Sequence, residues 1–167
     1  MRIAVTDACI FIDLIELEII ADFFKLDIEV HTSIDVLGEL FPSQKQILMA
    51  YHATDKLMIH NLESDDLEQI DHLNLPLGLS REDQTVIYIA STMNSAIILS
   101  SDGLVRKVAK RMSIEYHGLF WVFDQLVQNR HLSKNRAISK LEQLTKSNTL
   151  YSSSQLKKEV GNRKANW

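Results

Sequence analysis

The 167-residue chain is 46% hydrophobic and 24% charged, with five Gly and two Pro, a balance that suits one ordinary domain and excludes collagen-like, mucin-like and disordered classes. Its one cysteine, Cys9, has no partner for an internal disulfide, which fits a reducing cytoplasm; no apolar run nears the roughly 18 residues of a membrane span, and Asp7, Asp13, Glu16 and Glu18 argue against a secretory signal peptide. The net charge of −4 divides unevenly: residues 1–129 hold 9 Lys+Arg against 20 Asp+Glu, and residues 130–167 hold 9 against 2, an acidic body followed by a basic tail.

In chain order, Arg2–Thr6 is a short apolar, β-branched run that predicts a strand ending at Asp7, followed by one long helix over about Cys9 to Phe24. Ile28–Thr32 predicts a second strand, and Ser33 an N-cap for a helix carrying Val36, Leu37 and Leu40. Pro42 interrupts that helix and Ser43 starts another, to about Ala53. Leu57–Asn61 predicts a third strand, Glu63–Leu73 a helix, and Asn74–Leu79, with Pro76 and Gly78, a loop. Ser80 caps a helix over Arg81–Met93, and the continuous apolar run Ala96–Leu99 predicts a strand covered on both faces. Helix Asp102–Arg111, strand Ser113–Tyr116, helix Leu119–Val127 and a helix over 134–146 complete the pattern. Strands alternating with helices predict an α/β fold with a central parallel sheet of four or five strands and helices on both faces. Residues 147–167 turn basic and polar, and predict an extension largely without fixed structure, either a solvated end or a contact for a polyanion.

In an open α/β sheet the binding crevice lies beyond the carboxyl ends of the strands. Asp7 and Asp102 both follow strands and fall on that edge. Glu39 and Asp83 can reach it from helices, and Asp83, with Ile87 and Ala90 at i+4 and i+7, points along the buried stripe. Two unit charges about 4 Å apart repel by roughly 4 kcal/mol at an effective dielectric near 20, so four converging carboxylates call for a hard cation such as Mg²⁺ or Mn²⁺. Such ions serve phosphodiester hydrolysis by activating water and neutralising phosphate. Any one of these acids alone reads equally as a helix cap or a solvated side chain. Arg106, Lys107 and Lys110 lie on the helix opened by Asp102, where they can meet a phosphate backbone or simply face water. No nucleotide-binding glycine loop is present, and the six histidines show no i, i+4 ligand pair. Cys9 reads as a small buried residue and Asp13 as a solvated one.

These segments together resemble the PIN-domain nucleases, in particular the VapC-type toxins of bacterial toxin–antitoxin pairs. The likeness runs over about residues 3–146. It is carried by Val5-Thr6-Asp7-Ala8-Cys9-Ile10-Phe11-Ile12, Val36-Leu37-Gly38-Glu39-Leu40, Leu79-Ser80-Arg81-Glu82-Asp83 with Ala90, and Leu99-Ser100-Ser101-Asp102-Gly103-Leu104-Val105-Arg106. His117-Gly118 leading into Leu119–Val127 is similar to the later part of related members. The resemblance implies a three-layer α/β/α sandwich over residues 1–146, with 147–167 as an extension. It implies a Mg²⁺- or Mn²⁺-dependent endoribonuclease, a homodimer, an RNA substrate and an antitoxin partner. Asp7, Glu39, Asp83 and Asp102 would then be the metal ligands, and Ser100 a hydroxyl bonded to a ligand carboxylate. Glu82 competes with Asp83 by one residue. Gly103 and Leu104 stand where many members carry a further polar residue, which bears on a second metal. The alternative is a PIN-like module that binds RNA or protein without turnover.

Overall fold

The computed structural model describes residues 1–167, in two compact units. The first comprises Met1–Ile12 and Asp27–Leu119. Its five strands are β1 (Arg2–Thr6), β2 (Ile28–Ser33), β3 (Leu57–His60), β4 (Ile97–Leu99) and β5 (Glu115–His117). All neighbours pair in parallel, in the order β3-β2-β1-β4-β5. Ala4 and Val5 point to opposite faces of β1 and are both fully buried, as are Ile97, Ile98 and Leu99 of β4. A strand covered on both faces needs no polar alternation, which is why these runs read as continuously apolar. The fold is α/β with a parallel sheet flanked by helices, as expected.

Helices α1 (Ala8–Glu16), α3 (Ile34–Gly38), α4 (Pro42–Ala53), α5 (Ser64–His72), α6 (Arg81–Thr92) and α7 (Gly103–Arg111) lie wholly in this unit, save the second half of α1. Ser33 and Ser80 cap α3 and α6 as the sequence predicts, their hydroxyls accepting from Val36 N and Asp83 N at 3.1 Å each. Pro42 does not interrupt a helix but opens α4, where its missing N–H costs nothing. The chain runs outward from β1 through β2 to β3, then returns to the other side of β1 for β4 and β5. The reversal lies between β1 and β4, and there an open parallel sheet presents its crevice.

The second unit comprises Asp13–Leu26 and Phe120–Trp167, with helices α2 (Ile20–Phe23), α8 (Leu119–Gln128, but for its first residue), α9 (Lys134–Ser147) and α10 (Ser154–Asn166). The single long helix expected over Cys9–Phe24 is broken after Glu16. Glu18 takes φ 57°, and the Glu18 and Ile19 amides donate back to the Ile15 and Leu14 carbonyls at 3.0 and 2.9 Å, the pattern of a Schellman end. Residues 147–167, expected to lack fixed structure, form a 3₁₀ turn (Thr149–Tyr151) and α10. They are held by buried Tyr151 and Val160 and by polar ties to earlier residues. Asp13, expected to be solvated, is 5% exposed and accepts from Asn148 Nδ2 at 3.2 Å and Tyr151 O–H at 3.1 Å. Arg163 forms a two-pronged contact with Asp124 at 2.9 and 2.7 Å. No helix is long and apolar enough to cross a membrane.

Burial holds the Asp13 carboxyl above its usual range, so losing a donor to it is costly. Tyr151→Phe is expected to lower stability by about 1–3 kcal/mol in urea unfolding. A change within about 0.5 kcal/mol, as at an uninvolved surface position, would count against a folded role for this end of the chain.

Candidate active site

Thr6, the last residue of β1, pairs in register with Leu99, the last of β4. Asp7 follows, its N–H still donating to the Leu99 carbonyl at 3.2 Å, so its side chain emerges at the reversal point. The carboxylate is only 4% exposed. Its Oδ1 accepts from Ile10 N at 3.2 Å, capping α1, and from Cys9 Sγ at 2.9 Å. Ser100 also donates to this carboxylate, and the Ser100 Oγ accepts the Asp102 N–H at 3.0 Å. One buried hydroxyl thus joins the two strand-end acids. Asp102 lies at the solvent-facing rim, where its Oδ1 accepts from Leu104 N at 2.8 Å and Val105 N at 2.9 Å to cap α7.

Glu39 and Asp83 arrive from α3 and α6, which are bolted together below them. Ser33 and Thr85 share a hydrogen bond of 2.7 Å between buried hydroxyls, and Thr85 also reaches the Glu82 carbonyl at 2.6 Å. Glu39 is the exposed residue that ends α3. Asp83 sits half-buried in the first turn of α6, its carboxylate bonded to Ser80.

The acids act on one another. Burial raises Asp7 from 3.8 to about 6, against its hydrogen bonds and with a further push from Asp83. Burial also raises Glu39, helped by Glu82, Asp83 and Asp7. Asp83 is raised by burial and by Asp102 and Glu82. Asp83 is therefore coupled to Asp7, Glu39 and Asp102, and Glu82 adds to the push on Glu39 and Asp83. As placed, no three His, Cys, Asp or Glu side chains form a group that could hold a metal ion. The donor set is nonetheless all hard oxygen and self-repelling, which is the chemistry a divalent cation relieves.

A family model described as a PIN domain matches residues 3–165. The chain belongs to the PIN-domain family. Comparison with curated proteins finds no match. The fold of a PIN domain is nuclease-like, and its members are generally nucleases. The match runs past residue 146, to residue 165.

The basic residues of α7 divide. Lys107 and Lys110 are exposed. Arg106 is turned inward, its Nε donating to the Ser100 carbonyl at 2.8 Å. Cys9, which the sequence reads as a small buried residue, is half-buried, bonds Asp7, and takes the Ser101 N–H on its sulfur at 3.4 Å. Its position two residues after a strand-end acid was the available signal. His117 is bonded to Glu115 at 2.7 Å.

The raised Asp7 sets a pH dependence with a definite sign. The folded chain holds this proton up to about pH 6 whereas the ordinary value is 3.8, so ionisation costs stability as pH rises through that window. Asp7→Asn removes the cost. It is expected to gain on the order of 2 kcal/mol at pH 7, a gain that vanishes below about pH 4, as read by thermal unfolding across pH. A loss of stability at pH 7 would show that the carboxylate's hydrogen bonds outweigh its burial.

Proposed function

We propose that this PIN-domain protein is a divalent-metal-dependent endoribonuclease that hydrolyses RNA phosphodiester bonds. The observation that supports the reading is the coupling of Asp83 to Asp7, Glu39 and Asp102 where the strand order reverses. In this reading these four carboxylates hold Mg²⁺ or Mn²⁺. Once bound, the ion would supply charge neutralisation at the scissile phosphate and an activated water as nucleophile. Asp7 has bonds from Ile10, Cys9 and Ser100 to fix its orientation, and Asp102 keeps an oxygen beyond the one that caps α7. Lys107 and Lys110 lie about 7.5 and 12 Å along the helix axis from Asp102 at 1.5 Å per residue, and in this reading they meet phosphates beyond the scissile one. A homodimer and a role as the toxin of a toxin–antitoxin pair complete the proposal, on the strength of the family resemblance.

One observation favours a second reading. The acids are not drawn into a ready metal-holding group, as befits a module that binds RNA or a protein partner with little or no turnover. The two readings separate on an RNA pool incubated with Mn²⁺. The nuclease is expected to cut and to stop with chelator; binding without cleavage, indifferent to chelator, favours the module. Asp7→Asn and Asp102→Asn are expected to lose a hundredfold or more in cleavage rate, since even outer partners of metal ligands are worth about 10–100-fold. Asn caps helices as well as Asp, so Asp102→Asn should remain folded by circular dichroism. Full activity in both variants would overturn the assignment.

A further inference from the structure

Every polar group of Ser100 is engaged. Its N–H donates to the His117 carbonyl at 3.0 Å, its Oγ accepts the Asp102 N–H at 3.0 Å and donates to Asp7, and its carbonyl accepts from Arg106 Nε at 2.8 Å. The last of these has a topological cause. In a parallel ladder the N–H and C=O of one residue both reach the same neighbouring strand, so after His117 the Ser100 carbonyl would look next to the Leu119 N–H. The chain instead turns at Gly118 into α8, and the Arg106 side chain takes the vacated acceptor. The turn is shaped to admit it. A Cβ on Gly118 would stand 1.9 Å from Arg106 Nη2, 3.1 Å from Cζ and 3.7 Å from the Ser100 carbonyl oxygen. Gly118 has no left-handed φ to demand glycine; the guanidinium demands it.

We propose that Arg106 is a positioning residue that holds the Ser100 peptide so its hydroxyl stays between Asp7 and Asp102, with Gly118 supplying the space for the guanidinium. It acts on the chemistry through Ser100, and RNA phosphates fall to Lys107 and Lys110. The inference rests on the nuclease reading for its catalytic consequence, but its structural core does not.

Two substitutions probe it from opposite sides. Gly118→Ala pushes the guanidinium away while keeping its charge, at little cost to the fold, because the displaced atoms end a flexible side chain. Arg106→Lys also keeps the charge but lacks the fixed planar donor. Both are expected to shift the Asp102 amide resonance, which reports the Ser100 Oγ bond, and to weaken Mn²⁺ binding in calorimetry by about tenfold. Both should lower kcat by a similar factor, with KM and the salt dependence of RNA binding unchanged. Raised KM and a shallower salt slope with unchanged kcat would overturn the proposal in favour of a phosphate contact. An unmoved Asp102 amide in Gly118→Ala would overturn it whatever the activity. A wild-type protein that neither binds Mn²⁺ nor cuts RNA would defeat the nuclease reading alone, and the amide shift would still decide the role of Arg106.

Discussion

Charge crowding at the carboxyl ends of β1 and β4 is the constraint around which this part of the molecule is arranged. Asp7 is shut away from water and faces the field of Asp83; Asp83 in turn feels Asp102, and Glu39 feels three other acids. Left to itself such a group would move apart or hold protons. The chain prevents the first by bonding the acids to their surroundings. Asp7 caps α1, Asp102 caps α7 and Asp83 is bonded to the cap of α6, so the positive ends of three helices face the crowded edge. Cap and site are therefore one arrangement. The bond that fixes each carboxylate also caps a helix or ties it to a cap.

A local cost of this kind is familiar at functional sites, where order is maintained against the group's own preference. Here Ser100 carries much of the order, because one buried hydroxyl meets both strand-end acids. Around it the packing is apolar and continuous, with Ile97, Ile98 and Leu99 fully buried behind it.

Charge is handled differently in the second unit. The basic tail of the sequence is folded against acids from far upstream: Arg136 with Asp22 at 2.8 Å, Lys140 with Glu18 at 3.4 Å, Arg163 with Asp124 at 2.7 Å. Counted by unit, residues 13–26 and 120–167 hold 10 Lys+Arg against 7 Asp+Glu, a much milder excess than the tail alone shows. The remaining chain carries the larger acidic surplus, and it holds the crowded edge. A division of charge along the chain was real, but it did not follow the fold.

What the sequence by itself determined is what interactions within a few residues determine. The apolar run Ala96–Leu99 marked a strand covered on both faces, Arg2–Thr6 marked another strand, the Ser33 and Ser80 caps marked helix starts, and an Asp after each of two strands marked one sheet edge. Helix ends were harder. Glu18, Asp55, Ser113 and Arg130 all take left-handed φ near 60° at Schellman ends, while none of the five glycines does, so the usual residue marker was missing and α1 appeared to run on. Only the tertiary structure decided that Asp13 would be buried against Asn148 and Tyr151, and that residues 147–167 would be helical rather than loose. It alone turned Arg106 away from solvent onto Ser100. It alone brought Asp83 within the field of Asp7, 76 positions earlier in the chain. The reason is common to all of these. Burial and electrostatic coupling depend on which distant segments share a space, and that is set by strand order in the sheet unit and by helix packing in the other, neither of which a local pattern encodes.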